Sequence, residues 1–218
     1  MQPGALISQA WAIYRAHWRH LTLIAVVVYV AISALVIALA FLIGGWAVFI
    51  SLAGVFWLQG VLVKAVEDLR DGRADLSVRA TLESALPKIN VLSATGIIAS
   101  IAIGIGFLLL IVPGLILLTI WSVVIPAVMV ENTGVFRGFG RSQELVRGNA
   151  WSVFTVIVIT VALIIVAGLV AGLALAPINP EWVESIIDNV VANTIVAPFV
   201  AVAWTLMYFR LRALETAA

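Results

Sequence analysis

Two short stretches hold the residue types best suited to chemistry. In FRGFGRSQELVRGNAW, residues 136–151, Arg137, Arg141 and Arg147 recur around Glu144, with three glycines among them. Guanidinium groups at such spacing can grip a phosphate or a lipid headgroup through paired N–H donors. In DLRDGRAD, Asp68, Asp71 and Gly72 open a pattern suited to a divalent cation, yet after Asp75 the next aspartate is Asp188. Two carboxylates without partners make a poor cage for a hard cation. His17 and His20 are the only histidines, and they sit together near the N-terminus, so no HExxH metal site exists. Cysteine is absent, which excludes disulfides and thiolate chemistry. No apolar segment carries a Ser–His pair or paired aspartates. The residues therefore predict no enzyme, no metal and no cofactor.

The elements that must position these groups are set by hydropathy. The chain has 218 residues, of which 64% are hydrophobic and only 11% charged, against about 25% charged in soluble domains. Charges are missing between Arg19 and Lys64, Lys88 and Glu131, Arg147 and Glu181, and Asp188 and Arg210. A membrane helix needs roughly 20 apolar residues, so the first two gaps hold two spans each and the last two hold one each. The fold class predicted is all-α, a single integral membrane domain over 1–218 with six transmembrane helices near 21–43, 45–65, 90–110, 113–131, 151–175 and 190–209.

All twelve Lys and Arg residues fall on one side of such a membrane if the N-terminus is inside. The outer connections are the turn at Gly44, the turn at Pro113–Gly114, and an acidic loop with Glu181, Glu184 and Asp188. The positive-inside rule then predicts a multi-pass protein of the bacterial plasma membrane with both termini cytoplasmic. The net charge of +1 follows from this topology and does not point to nucleic acid. In the outer loop, Asn179 and Pro180 suit the start of a helix that would place Trp182 at the interface.

The arginine stretch reads as an amphipathic helix. Arg137, Arg141, Glu144 and Arg147 share one side, and Val135, Phe136, Phe139 and Val146 the other. That predicts a helix over 135–148 lying on the membrane, arginines toward water and headgroups, Phe136 and Phe139 as anchors. Gly148–Asn149 supplies its stop. Two similar helices are expected over 5–19 and 77–88. The first carries a stripe of Ile7, Trp11, Tyr14 and Trp18, with Trp11 and Trp18 as anchors; the second carries Val78, Leu82, Leu86 and Ile89. The chain thus reads as three hairpins, each preceded by an interfacial helix, and Ser8–Gln9 returns as Ser142–Gln143.

The spans hold no ionisable residue in their central portions, which argues against a proton relay. Gln59, Asn189 and Asn193 are the strongest polar groups and are expected toward span ends. Gly96, Ser100 and Gly104, Gly168 and Gly172, and Ala197 and Ala201 form small-residue ridges. These read as packing within the chain, with a homo-oligomer contact as the alternative. Pro126 and Pro198 are expected to kink spans four and six.

The segment from Pro113–Gly114 through Trp121, Pro126–Ala127, Glu131, Arg141–Ser142, Leu145 and Arg147–Gly148 to Trp151 resembles a bacterial membrane-domain family. That family is found attached to some glycerophosphodiester phosphodiesterases and includes the related YciC-like inner-membrane proteins. The resemblance implies a six-helix membrane fold with no settled biochemical role, and it does not imply hydrolysis. Two functions follow as expectations. One is a non-enzymatic membrane module that engages lipid headgroups, or a membrane partner, through its interfacial helices. The other is a transporter, or transporter subunit, for a neutral or amphiphilic solute. Partners expected are membrane lipids and a homo-oligomer or other membrane protein.

Overall fold

In an apolar medium each backbone N–H and C=O must be satisfied within the chain, and long apolar runs therefore form helices. The computed structural model describes residues 2–44, 47–70, 77–175 and 192–217, and all regular elements among them are helical. They are α1 (Pro3–Ile43), α2 (Ala47–Arg70), α3 (Val78–Ala85), α4 (Ile89–Leu109), α5 (Ile111–Ile120), α6 (Val124–Glu131), α7 (Val135–Val146), α8 (Ala150–Leu175) and α9 (Ala197–Ala217). A short 3-10 turn, Leu86–Lys88, joins α3 to α4, and a π-helical turn, Ala192–Val196, leads into α9. Six stretches are long and apolar enough to cross a membrane. The protein is an all-α, multi-pass membrane protein.

Helix α2 is the hub, packed against α1, α4, α6 and α9. Its contact with α4 is set by glycines. A Cβ on Gly96 would strike the Phe56 ring, and one on Gly60 would strike Leu92. Each helix thus offers a hole to the other's knob, which brings the two backbones close. The ridge in α8 behaves differently: a Cβ on Gly168 or Gly172 meets nothing within 4 Å. Helix α9 packs mainly on α1 and α2, and touches α8 only slightly. Among the described residues, spans five and six therefore meet only at a few points.

Several boundaries differ from the sequence reading for identifiable reasons. The N-terminal helix and the first span are one helix, kinked at His17 (φ −121°, ψ 20°). Its buried face keeps Tyr14 from the expected stripe but takes Leu6 and Ala10 in place of Ile7 and Trp11, and Trp11 and Trp18 lie outward, about half exposed. In α3, capped by Ser77, Thr81 and Ala85 are buried while Leu86 and Ile89 are exposed. The corner between α4 and α5 is the single extended residue Leu110, so Pro113 falls in the first turn of α5, where its missing N–H costs no helical bond. Span four breaks at residues 121–123, just before Pro126. Proline cannot bond to the carbonyl four residues back and its ring crowds that carbonyl, here Ser122. Pro198 acts alike, following the π turn.

The glycine holes give a direct test. Gly96→Ala should destabilise the protein by about 1–3 kcal/mol through overpacking, read as a lower thermal unfolding midpoint in detergent. Gly104→Ala, where a Cβ meets nothing within 4 Å, should unfold no earlier than wild type. Equal midpoints for the two variants would refute the packing argument.

Candidate functional site

The arginine helix is held from below by its small residues. Gly138 lies so close to Val128 that a Cβ would collide with it, and buried Ser142 donates its hydroxyl to the Ile120 carbonyl at 2.8 Å. That rotation carries Arg141 toward the bundle. Its Nε donates to both oxygens of Glu131, at 3.0 and 2.8 Å. Its Nη1 and Nη2 donate to Oε1 and Oε2 of Glu215, each at 2.6 Å, a bidentate fork. A longer contact of 3.4 Å reaches Glu144. Glu131 also accepts a 2.8 Å hydrogen bond from the Tyr208 hydroxyl. Hydrogen bonding to Glu215, opposed by burial and reinforced by Glu131, holds the Arg141 guanidinium above its ordinary pKa.

This corrects the expected division of α7. Arg137 and Arg147 are exposed, but Arg141 is only 22% exposed and clasps α6 to α9. Its donors are largely taken by carboxylates and not free for a headgroup. The aromatic pair also divides. Phe136 points outward, 82% exposed, whereas Phe139 packs edge-on against Trp121 with ring centroids 4.8 Å apart. Gly148, at φ +82°, ends the helix in the left-handed conformation. Trp11 stacks on Tyr14 and meets Phe199, while Trp18 lies beneath the Arg19 guanidinium. Trp182, the acidic outer loop with its expected helix, Asn189, and Asp71, Gly72 and Asp75 lie outside the described residues.

The second feature is an open cavity of about 420 Å³ bordered by α2, α6, α8, the π turn and α9. Both proline breaks border it: Pro126 lies in its wall, as do Ile195, Val196 and Ala197 just before Pro198. The walls are mostly aliphatic, with Val55, Leu62, Gly168 and Val200 among them, and no ionisable side chain takes part among the described residues. Gln59 is the conspicuous polar group. It was expected near a span end, but α2 runs on to Arg70, which puts Gln59 at the middle of the helix and on the cavity wall. Among the described residues its amide has no hydrogen-bond partner. The π turn is pinned by Tyr14, whose hydroxyl donates to the Ile195 carbonyl at 3.0 Å.

Sequence reasoning missed Tyr208, Glu215 and Tyr14 as contributors. The one available hint was Glu131, which ends an uncharged span and has no basic residue within five positions in the sequence. A family model described as a domain of unknown function (DUF7847) matches residues 14–211, and the chain belongs to that family. No curated protein and no solved structure matches the chain. The matched stretch takes in the cavity, Glu131, Arg141 and Tyr208, and ends before Glu215.

The clasp predicts unequal arginines. Arg141→Ala leaves Glu131 half-buried beside Tyr208 without its cation, which should cost on the order of 2–4 kcal/mol. Arg147→Ala, at an exposed site, should cost about 0–1 kcal/mol. Thermal unfolding of the two purified variants in detergent checks this. Indistinguishable stabilities would mean that the clasp does not hold the bundle.

Proposed function

We propose that this member of the DUF7847 family is a non-enzymatic integral membrane protein that binds a lipid-like amphiphile inside the bilayer. One observation carries the reading: the cavity between the two proline-broken spans, about 420 Å³ in volume. That lies within the roughly 300–1,000 Å³ of small-molecule sites. Its aliphatic walls suit an acyl chain, and the lone Gln59 amide suits a neutral polar group such as an ester or hydroxyl. An ionised ligand group would find no countercharge among the described residues there. The rim arginines Arg137 and Arg147 remain as headgroup contacts in this reading, alongside the Trp11, Trp18 and Phe136 anchors.

A second reading is passage of the same amphiphile. It draws on Pro126 and the turn before Pro198, both at the cavity, because broken helices that face a cavity are the usual sites of transporters. Release of a loaded neutral lipid from proteoliposomes, abolished by filling the cavity, would favour transport over static binding. We further propose kinship with the membrane-domain family resembled by the segment from Pro113 to Trp151. We place the protein in a bacterial plasma membrane with both termini cytoplasmic, on the distribution of its twelve basic residues.

Two experiments test these statements. Gly168→Phe should project a ring into the cavity without a clash, because a Cβ there meets nothing within 4 Å. Photocrosslinking to a diacylglycerol with a diazirine in its acyl chain should fall sharply in that variant while its unfolding midpoint stays near wild type. Undiminished crosslinking would remove the cavity as the site. For topology, Ser185→Cys introduces the sole cysteine and should react with a membrane-impermeant maleimide from outside the cell. Reaction only from the cytoplasmic side would invert the orientation.

A further inference from the structure

The corner where α4 turns into α5 is apolar all round. From Ile101 to Leu118 no side chain carries a polar atom. Five consecutive residues at the corner, Leu108, Leu109, Leu110, Ile111 and Val112, are each between 63% and 87% exposed. A helix packed on a bundle buries one side of every turn, so an unbroken exposed run marks a projecting tip.

The tip is stiff and leaves few backbone donors open. A Cβ on Gly106 would come within 3.0 Å of the Gly114 Cα, and one on Gly114 would strike the Phe107 ring. The two arms thus touch just below the tip and hold it as one piece. The Leu110 N–H donates to the Gly106 carbonyl at 3.1 Å, and Pro113 has no N–H to satisfy. Both features suit a turn made where water is scarce.

The arms are long enough to carry the tip across the bilayer and no further. Helix α4 has 21 residues, a rise of about 31 Å against a hydrocarbon core of about 30 Å. The return arm, Ile111–Glu131, also has 21 residues. Their other ends are held at the charged boundary, Lys88 by the Met129 carbonyl and Glu131 by Arg141. A membrane helix tilted by the usual 20° or so covers slightly less than its length. The tip therefore stops at or inside the far edge of the hydrocarbon.

We infer that the Leu108–Val112 corner is a lipid-embedded prong. Its partner is the acyl chains of the leaflet opposite the Arg141 clasp, and it does not emerge into water as an aqueous turn at Pro113–Gly114 would. The exposed side chains of Ile101, Ile105 and Ile116 lead into it, so the prong continues the face that α4 and α5 turn to lipid. A protein partner would call for Tyr, Trp or Arg anchors and about one hydrogen bond per 100–200 Å². Leu108 to Val112 offer only aliphatic groups, which acyl chains accept without any such pairing.

The chain has no cysteine, so Leu110→Cys puts a single thiol at the tip. In phosphatidylglycerol–phosphatidylcholine vesicles holding membrane-impermeant maleimide on both sides, this thiol should react only after denaturation. Arg147→Cys, at an exposed position on α7, should react without denaturation and sets the scale for a thiol in water. A small fluorophore attached to Leu110→Cys before reconstitution should be quenched by lipids brominated on their acyl chains and not by aqueous iodide. Should Leu110→Cys fail to fold, Leu108→Cys, the most exposed of the five, reports in its place. Reaction of the tip thiol in intact vesicles overturns the inference. So does protection from maleimide without quenching by brominated lipid, which would place protein and not acyl chains around the tip.

Discussion

Everything distinctive in this molecule follows from the need to satisfy backbone polar groups where water is absent. Two prolines make that need acute. Pro126 interrupts span four, and the chain unwinds over 121–123. The Ile120 carbonyl then finds its partner in the Ser142 hydroxyl of another helix, while Ser122 turns back to Thr119. Pro198 follows a π turn, whose Ile195 carbonyl is satisfied by Tyr14 from α1. In each case a side chain from a remote element supplies the missing donor. The breaks are therefore also joints, tying α7 to span four and α1 to span six. Between the two joints lies the cavity.

The charged end of the bundle obeys the same logic with ions. Arg141 is 22% exposed and would be costly without counterions; Glu131 and Glu215 meet it from α6 and α9. Tyr208 occupies a further lone pair of Glu131, so the clasp is well satisfied. Lys88 donates to the Met129 carbonyl at 2.6 Å, covering the C-terminal end of α6, where Asn132 turns left-handed at φ +55°. Helix α6 is thus gripped from three directions at this end while its other end borders the cavity. Such a geometry fixes the rim and leaves the interior wall free to accommodate a guest.

Packing at α2 explains why the bundle holds together despite so little polar glue. Lipid tails are as apolar as leucine, so helices gain from close fit and not from hiding grease. The Gly60–Leu92 and Phe56–Gly96 contacts provide that fit on one side of α2. Toward α8 the glycines face open space or the cavity, and α8 stands off from α9. The same residue type thus serves opposite ends on two helices.

The sequence alone determined the class and the number of spans, because hydrocarbon thickness and the cost of buried charge act on composition and length. It also determined that α7 is a helix stopped at Gly148, since glycine and periodicity are local signals. It did not determine which way α7 faces. A periodic pattern assigns Arg141 to water, but Gly138 against Val128 and Ser142 against Ile120 rotate it inward, toward carboxylates 10 and 74 residues away. Nor could spacing reveal that Gln59 sits mid-helix on a cavity, because α2 continues past Lys64, which pairs with Glu67, as far as Arg70. Periodicity reports how a helix differs around its circumference. Which neighbour each side meets is decided only when the helices pack.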